Sequence, residues 1–89
     1  MSRQQPGLTP VNEIMIRHLT QDEALPLLEK FIHDAYIANM RQVRIVHGKG
    51  SGTLKLMVIR YLAASQLVQS YRPGERGEGS AGVTIAELI

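Results

Sequence analysis

Apolar and polar positions first alternate along Asn12 to His18 (NEIMIRH), with Ile14 and Ile16 on one face and Met15 and Arg17 on the other, the period of two of a β-strand. Thr20-Gln21-Asp22-Glu23 then matches a capping box, in which the Thr hydroxyl and the Glu carboxylate satisfy free amides at a helix start. Ala24, Leu28, Phe31, Ile32, Ala35 and Tyr36 follow at spacings of three and four, which predicts a helix with one apolar stripe down to about Asn39. Pro26 falls slightly late for a helix start and predicts a distortion in the second turn. Val43 to Val46 is short and β-branched, as a buried strand would be. Leu54, Met57, Val58, Tyr61 and Leu62 give a second helical stripe over Thr53 to Ala64. Leu67 to Arg72 and Val83 to Leu88 read as two more strands, joined by Pro73 to Gly82, a stretch with four glycines and little to bury that is expected to be mobile. The order βαβαββ predicts an α/β fold, a two-layer sandwich in which two helices cross one face of a four-stranded mixed sheet by right-handed connections. The last two strands should form a hairpin with a long loop.

A chain of 89 residues makes one small domain, and 44% hydrophobic with 20% charged residues is a globular balance. Residues 1–11 are polar, with two prolines and a glycine, and are expected to be a flexible tail or linker remnant ahead of a folded unit at 12–89. No apolar run approaches the ~20 residues of a membrane span and no leader pattern opens the chain, so a soluble, non-secreted protein is expected. The absence of cysteine excludes a disulfide scaffold, a thiolate metal site and a cysteine nucleophile. Three scattered histidines, and acids spread along the first helix (Asp22, Glu23, Glu29, Asp34), leave no clustered ligands. No metal site and no cofactor are expected, except for a divalent ion recruited by the phosphate itself.

Charge changes the picture more than composition does. Residues 41–76 carry Arg41, Arg44, Lys49, Lys55, Arg60, Arg72 and Arg76 against Glu75 alone, a local charge of +6 in a chain whose total is +2. Such a segment suits a polyanionic partner, or it is a set of solvated helix and strand faces. At its centre His47-Gly48-Lys49-Gly50-Ser51-Gly52-Thr53 lies between a predicted strand and a predicted helix. Glycines bring backbone amides close to a ligand, the helix start adds partial positive charge, Lys49 supplies a point charge and Ser51 or Thr53 a hydroxyl. The stretch reads as a phosphate site or as a tight connection; it is neither a Walker loop nor a dinucleotide fingerprint. His47, at the carboxyl end of a central strand, reads as a proton-transfer group or as the partner of a backbone carbonyl. His33, beside Asp34, reads as surface, and His18 could reach the same edge as His47.

IMIRHLT, then EALPLLEKFIHDAYIANMRQVRIVHGKGSGTL and the closing GEGSAGVTIAEL together resemble the Smr (small MutS-related) domain, found at the carboxyl end of a bacterial MutS paralogue and in stand-alone proteins. The resemblance runs over about residues 12 to 88. It implies a fold similar to the C-terminal domain of translation initiation factor three, nucleic-acid binding and, in many members, endonuclease activity. It further implies a bacterial, cytoplasmic module of a larger MutS-like chain, acting on DNA, branched DNA included, or on ribosomal RNA, in recombination control or ribosome rescue. On this footing Arg17 and Lys49 would hold the scissile phosphate, the backbone of Gly48, Gly50 and Gly52 would cradle it, and His47 would transfer a proton. Arg44, Lys55, Arg60, Arg72 and Arg76 are candidates for flanking phosphates. Two positions depart from the family's first motif: Met15 stands where an aspartate is usual and His18 where a glycine is usual. The departure at Met15 favours a second reading, a DNA- or RNA-binding tether without catalysis. A third reading is a protein-interaction domain whose glycine loop is only a turn. No aromatic cluster for base stacking appears, so DNA and RNA are not distinguished.

Overall fold

A computed structural model describes residues 12–89; the tail expected at 1–11 lies outside them. The elements are β1 (Glu13–Met15), α1 (Gln21–Ile37), β2 (Gln42–Val46), α2 (Thr53–Ala64), β3 (Val68–Pro73) and β4 (Val83–Leu88), with a turn of 3₁₀ helix at Ser80–Gly82 leading into β4. The strands form one mixed sheet in the order β1-β2-β4-β3. β1 pairs with β2 in parallel, and β4 runs antiparallel to both β2 and β3. The fold is therefore the two-layer α/β sandwich that the periodicities predict, with β4 inserted between β2 and β3.

The capping box forms at the start of α1: the Glu23 N–H donates to Thr20 Oγ1 at 3.1 Å and the Thr20 N–H to Glu23 Oε1 at 2.9 Å. The helix runs on through Pro26 without interruption. It stops where Asn39 enters the left-handed region at φ 62° and the Met40 N–H donates back to the Ala35 carbonyl. Ala24, Leu28, Ile32 and Ala35 of α1 and Met57, Val58 and Leu62 of α2 pack on Ile16, Val43, Ile45, Ala86 and Leu88 to make the core. The stripe on α1 is narrower than its spacing suggests, because Tyr36 is exposed and in the last turn Ala35 is the residue that reaches the core.

β1 is shorter than the expected strand over 12–18. The Ile16 N–H still donates to the Val46 carbonyl, and then the chain turns out of the sheet through His18 at φ 74°, with the Leu19 N–H on the Ile16 carbonyl. The glycine-rich stretch between β3 and β4, expected to be mobile, carries several hydrogen bonds. The Arg72 guanidinium grips both carboxylate oxygens of Glu78 at 2.7 and 3.0 Å, the Glu75 N–H donates to Glu78 Oε1, and the Gly74 N–H to the Val83 carbonyl. The Arg72 contact, with the Glu75 N–H second, holds the Glu78 carboxyl down at about 2. Opposite the helices, Val46, Val83 and Ile85 form a second small apolar cluster.

Candidate functional site

Because β1 and β2 are parallel, their carboxyl ends open on the same edge, where both helices also begin. Open α/β sheets commonly bind ligands at such an edge. Here the segments from Arg17 to Gln21 and from His47 to Lys55 face each other across a groove of about 560 Å³. Gly48 makes the close approach: it sits at φ 83°, and a Cβ added there would lie 3.2 Å from the Cβ of Arg17. The N–H groups of His47 and Gly48 both donate to the Gly82 carbonyl at 3.0 Å, which pins the loop to the start of β4. Gly52, at φ 88°, is the N-cap of α2 and brings no side chain to cover the first-turn amides. Ser51 Oγ and Thr53 Oγ1 lie 2.9 Å apart on the groove wall.

Of the cations singled out in the sequence, Arg17, Lys49 and Lys55 line this groove. No aspartate or glutamate lines it, and among the described residues none of these three cations takes part in an ion pair. Gly50 completes the loop between Lys49 and Ser51. The other candidates are not gathered here. Arg44 lies on the helix-free face of the sheet, its Nε 3.9 Å from Glu13 Oε1. Arg72 is held by Glu78, and Arg60 and Arg76 are exposed and line neither this groove nor the cleft described below.

His47 is 4% exposed, with its ring turned into the protein. Nδ1 lies 2.8 Å from the Gly48 carbonyl and Nε2 2.9 Å from Thr84 Oγ1. A carbonyl oxygen only accepts, so Nδ1 carries the proton, and the Nε2 lone pair of the neutral ring accepts from the Thr84 hydroxyl. Burial lowers the pKa of the ring, the Gly48 carbonyl opposes that, and the charge of Lys55 adds to the lowering. The ring is thus neutral at pH 7 with both nitrogens occupied. In this arrangement His47 partners the Gly48 carbonyl and so holds the glycine loop.

Sequence reasoning did not reach Thr84 or Gly82. The signal for Thr84 is its register: Thr84, Ala86 and Leu88 alternate onto the helix side of β4, so a hydroxyl stands at a core position and needs a buried partner. His18 lines the groove too, at a positive φ that a glycine would adopt without strain. Among the described residues, no three His, Asp or Glu side chains gather to hold a metal ion, and no helix is long and apolar enough to cross a membrane.

A family model described as the Smr domain matches residues 14–89. The chain is 52% identical over 76 residues to a protein named endonuclease MutS2 from Lachnospira eligens, across 85% of this chain and 10% of that protein. It is 50% identical over 80 residues to the protein of the same name from Agathobacter rectalis, again over 10% of the latter. The chain thus spans about a tenth of the length of the curated relatives it matches. The crystal structure of the Smr domain of Thermus thermophilus MutS2 superposes with a TM-score of 0.85 at 33% identity, covering 89% of this chain and 99% of that one. YdaL, a stand-alone small MutS-related protein from Escherichia coli, shares the fold with a TM-score of 0.83 at 24% identity, over 86% of this chain and 63% of its own. With sequence family, relatives and three-dimensional fold in agreement, the chain belongs to the Smr domain family.

Proposed function

We propose that this chain is a nucleic-acid-binding module of a MutS2-like protein and that it grips phosphates in the groove at the ends of β1 and β2. The observation that carries this reading is the make-up of that groove: Arg17, Lys49 and Lys55, two helix starts and a glycine loop, with no acid among the lining residues. Each cation brought to a phosphate releases condensed counterions, and the start of α2, whose Gly52 N-cap has no side chain, adds amides that suit an anion. Arg17 and Lys49 hold the phosphate, while His47 acts indirectly by fixing the Gly48 carbonyl and the loop that presents Lys49. Recombination control or ribosome rescue are the settings in which such a chain would work.

A second reading adds strand nicking, and what favours it is the name endonuclease on the relatives. In that reading Arg17 and Lys49 also stabilise the charge that develops on the phosphate during attack by water. Met15, in place of the aspartate usual in the family's first motif, removes a carboxylate from the neighbourhood and makes binding the stronger of the two readings.

A gel-shift and relaxation assay on supercoiled plasmid, run with and without chelator beside Lys49→Ala, tests both. Retarded mobility that disappears with salt and with the substitution supports the binding module. Open circles produced by the wild type and not by Lys49→Ala add the nicking activity. Binding that Lys49→Ala leaves unchanged would remove the groove from either reading.

A further inference from the structure

Behind the Arg17–Gly48–Lys49 wall of the groove, on the helix-free face of the sheet, lies a second cleft of about 490 Å³. Strand register puts Met15 beside Val46 and Val46 beside Val83, so one apolar row crosses three neighbouring strands. Val46 and Val83 are buried, at 9% and 3% exposed, so Met15 is the part of the row that a ligand can touch. Met15 is 55% exposed on it, an apolar side chain left facing solvent at the floor of a cleft. The next row places Arg44 beside Glu13. Buried from solvent, Arg44 Nε has no hydrogen-bond partner among the described residues, and its nearest acid oxygen is 3.9 Å away. Arg17, Gly48 and Lys49 line both cavities, so whatever occupies the cleft adjoins whatever the groove holds.

A ring joined to a phosphate is what a nucleotide presents, and the exposed Met15 thioether beside Arg17 and Lys49 offers a contact for each part. We propose that the cleft seats an unpaired nucleobase of the strand whose phosphate Arg17 and Lys49 hold, so that the ligand class is single-stranded or gapped nucleic acid. The proposal rests on the phosphate-binding reading of the groove. A thioether packs well against an aromatic ring, and sheet faces elsewhere serve as platforms for splayed bases. A base stacked and paired in a duplex cannot reach the floor. The volume lies within the roughly 300–1,000 Å³ usual for small-ligand sites.

The test is fluorescence anisotropy at fixed low salt with labelled oligo-dT, oligo-U, an oligo-dT:oligo-dA duplex and an abasic strand of the same length. Wild type, Met15→Ala, Met15→Leu and Lys49→Ala are compared, with thermal melts to show that the exposed Met15 position leaves folding intact. Expected is a loss of about 5- to 100-fold with Met15→Ala on oligo-dT or oligo-U, and near-wild-type affinity with Met15→Leu. Duplex and abasic strand should not respond to position 15, and Lys49→Ala should weaken every ligand. The single strand that responds more identifies DNA or RNA as the source of the base. If Met15→Ala changes neither single strand, or changes duplex and abasic strand equally, while Lys49→Ala still weakens binding, the base site is wrong and the phosphate groove stands. If Lys49→Ala is also without effect, the phosphate reading fails and takes the base site with it.

Discussion

A histidine held at φ 74° has an energetic consequence at position 18. An L-residue in the left-handed region carries about 1–2 kcal/mol of strain, whereas replacing it by glycine adds unfolded-chain entropy worth about 0.4–1 kcal/mol. Relief of strain is the larger of the two, so His18→Gly should raise stability by about 0.5–1 kcal/mol. For a chain of this size that is an increase of a few degrees in Tm, readable by thermal melting. A lower Tm would mean that the His18 side chain makes contacts worth more than the strain. His47 is the second residue whose chemistry reaches a measurable quantity. Its ring is neutral in the fold and its pKa lies below the ordinary 6.5, so the unfolded chain binds the extra proton first as pH falls. The stability that His47 contributes is therefore complete above about pH 6.5 and is lost as pH drops through the lower folded value. Urea unfolding of the wild type should weaken between pH 7.5 and pH 5. His47→Gln, which has no proton to take up, should be less stable at pH 7.5 yet flatter across that interval; equal slopes for the two proteins would contradict the buried neutral ring.

At the level of elements, local pattern was a good guide wherever the responsible residues are neighbours in the chain. The capping box of α1, the bounds of α2 and the whole of β4 follow from spacing alone. Strand order did not follow, because the pairing of Val46 with Val83 joins residues far apart in sequence and depends on closing the sheet. The pattern predicts a longer β1 because Arg17 and His18 continue the alternation while the backbone turns away after Ile16. In the loop from Gly74 to Gly82 glycine content suggests freedom, while two side chains six positions apart, Arg72 and Glu78, bridge it. With Glu78 held down at about 2, this lock is fully formed above the ordinary carboxylate value of 4.5 and opens as pH falls through about 2. Glu78→Gln leaves Arg72 without its charged partner at every pH. Trypsin should then cut after Arg76, on the exposed loop, several-fold faster than in the wild type at neutral pH, with the rest of the domain intact. Unchanged cleavage would show that the backbone bonds of Gly74 and Gly82 suffice to hold the loop.

Across the whole molecule, the fold separates charges that the sequence groups together. The +6 stretch at 41–76 looks like one basic surface, but Arg44 faces the helix-free side, Arg72 is neutralised by Glu78, and Arg41, Arg60 and Arg76 lie outside both cavities. What remains at the groove is Lys49 and Lys55 from that stretch and Arg17 from outside it. The glycine loop and Lys49 were thus legible from the sequence, and the role of Thr84 in holding His47 was not, since a strand threonine carries no local mark of its partner. This partition fixes a number that salt can measure. Each phosphate neutralised on a single strand contributes a slope of about 0.7 in log affinity against log salt. Three cations in one groove give a slope of about 2, or roughly a fifteenfold loss between 50 and 200 mM salt. If all seven cations of 41–76 faced the strand, the slope would approach about 5. Titrating oligo-dT across that range separates the two cases, and Lys49→Ala should lower the slope to about 1.4, because one cation and one released counterion are gone. A slope near zero would mean that the domain holds its ligand without phosphate contacts, and would turn attention to a protein partner instead.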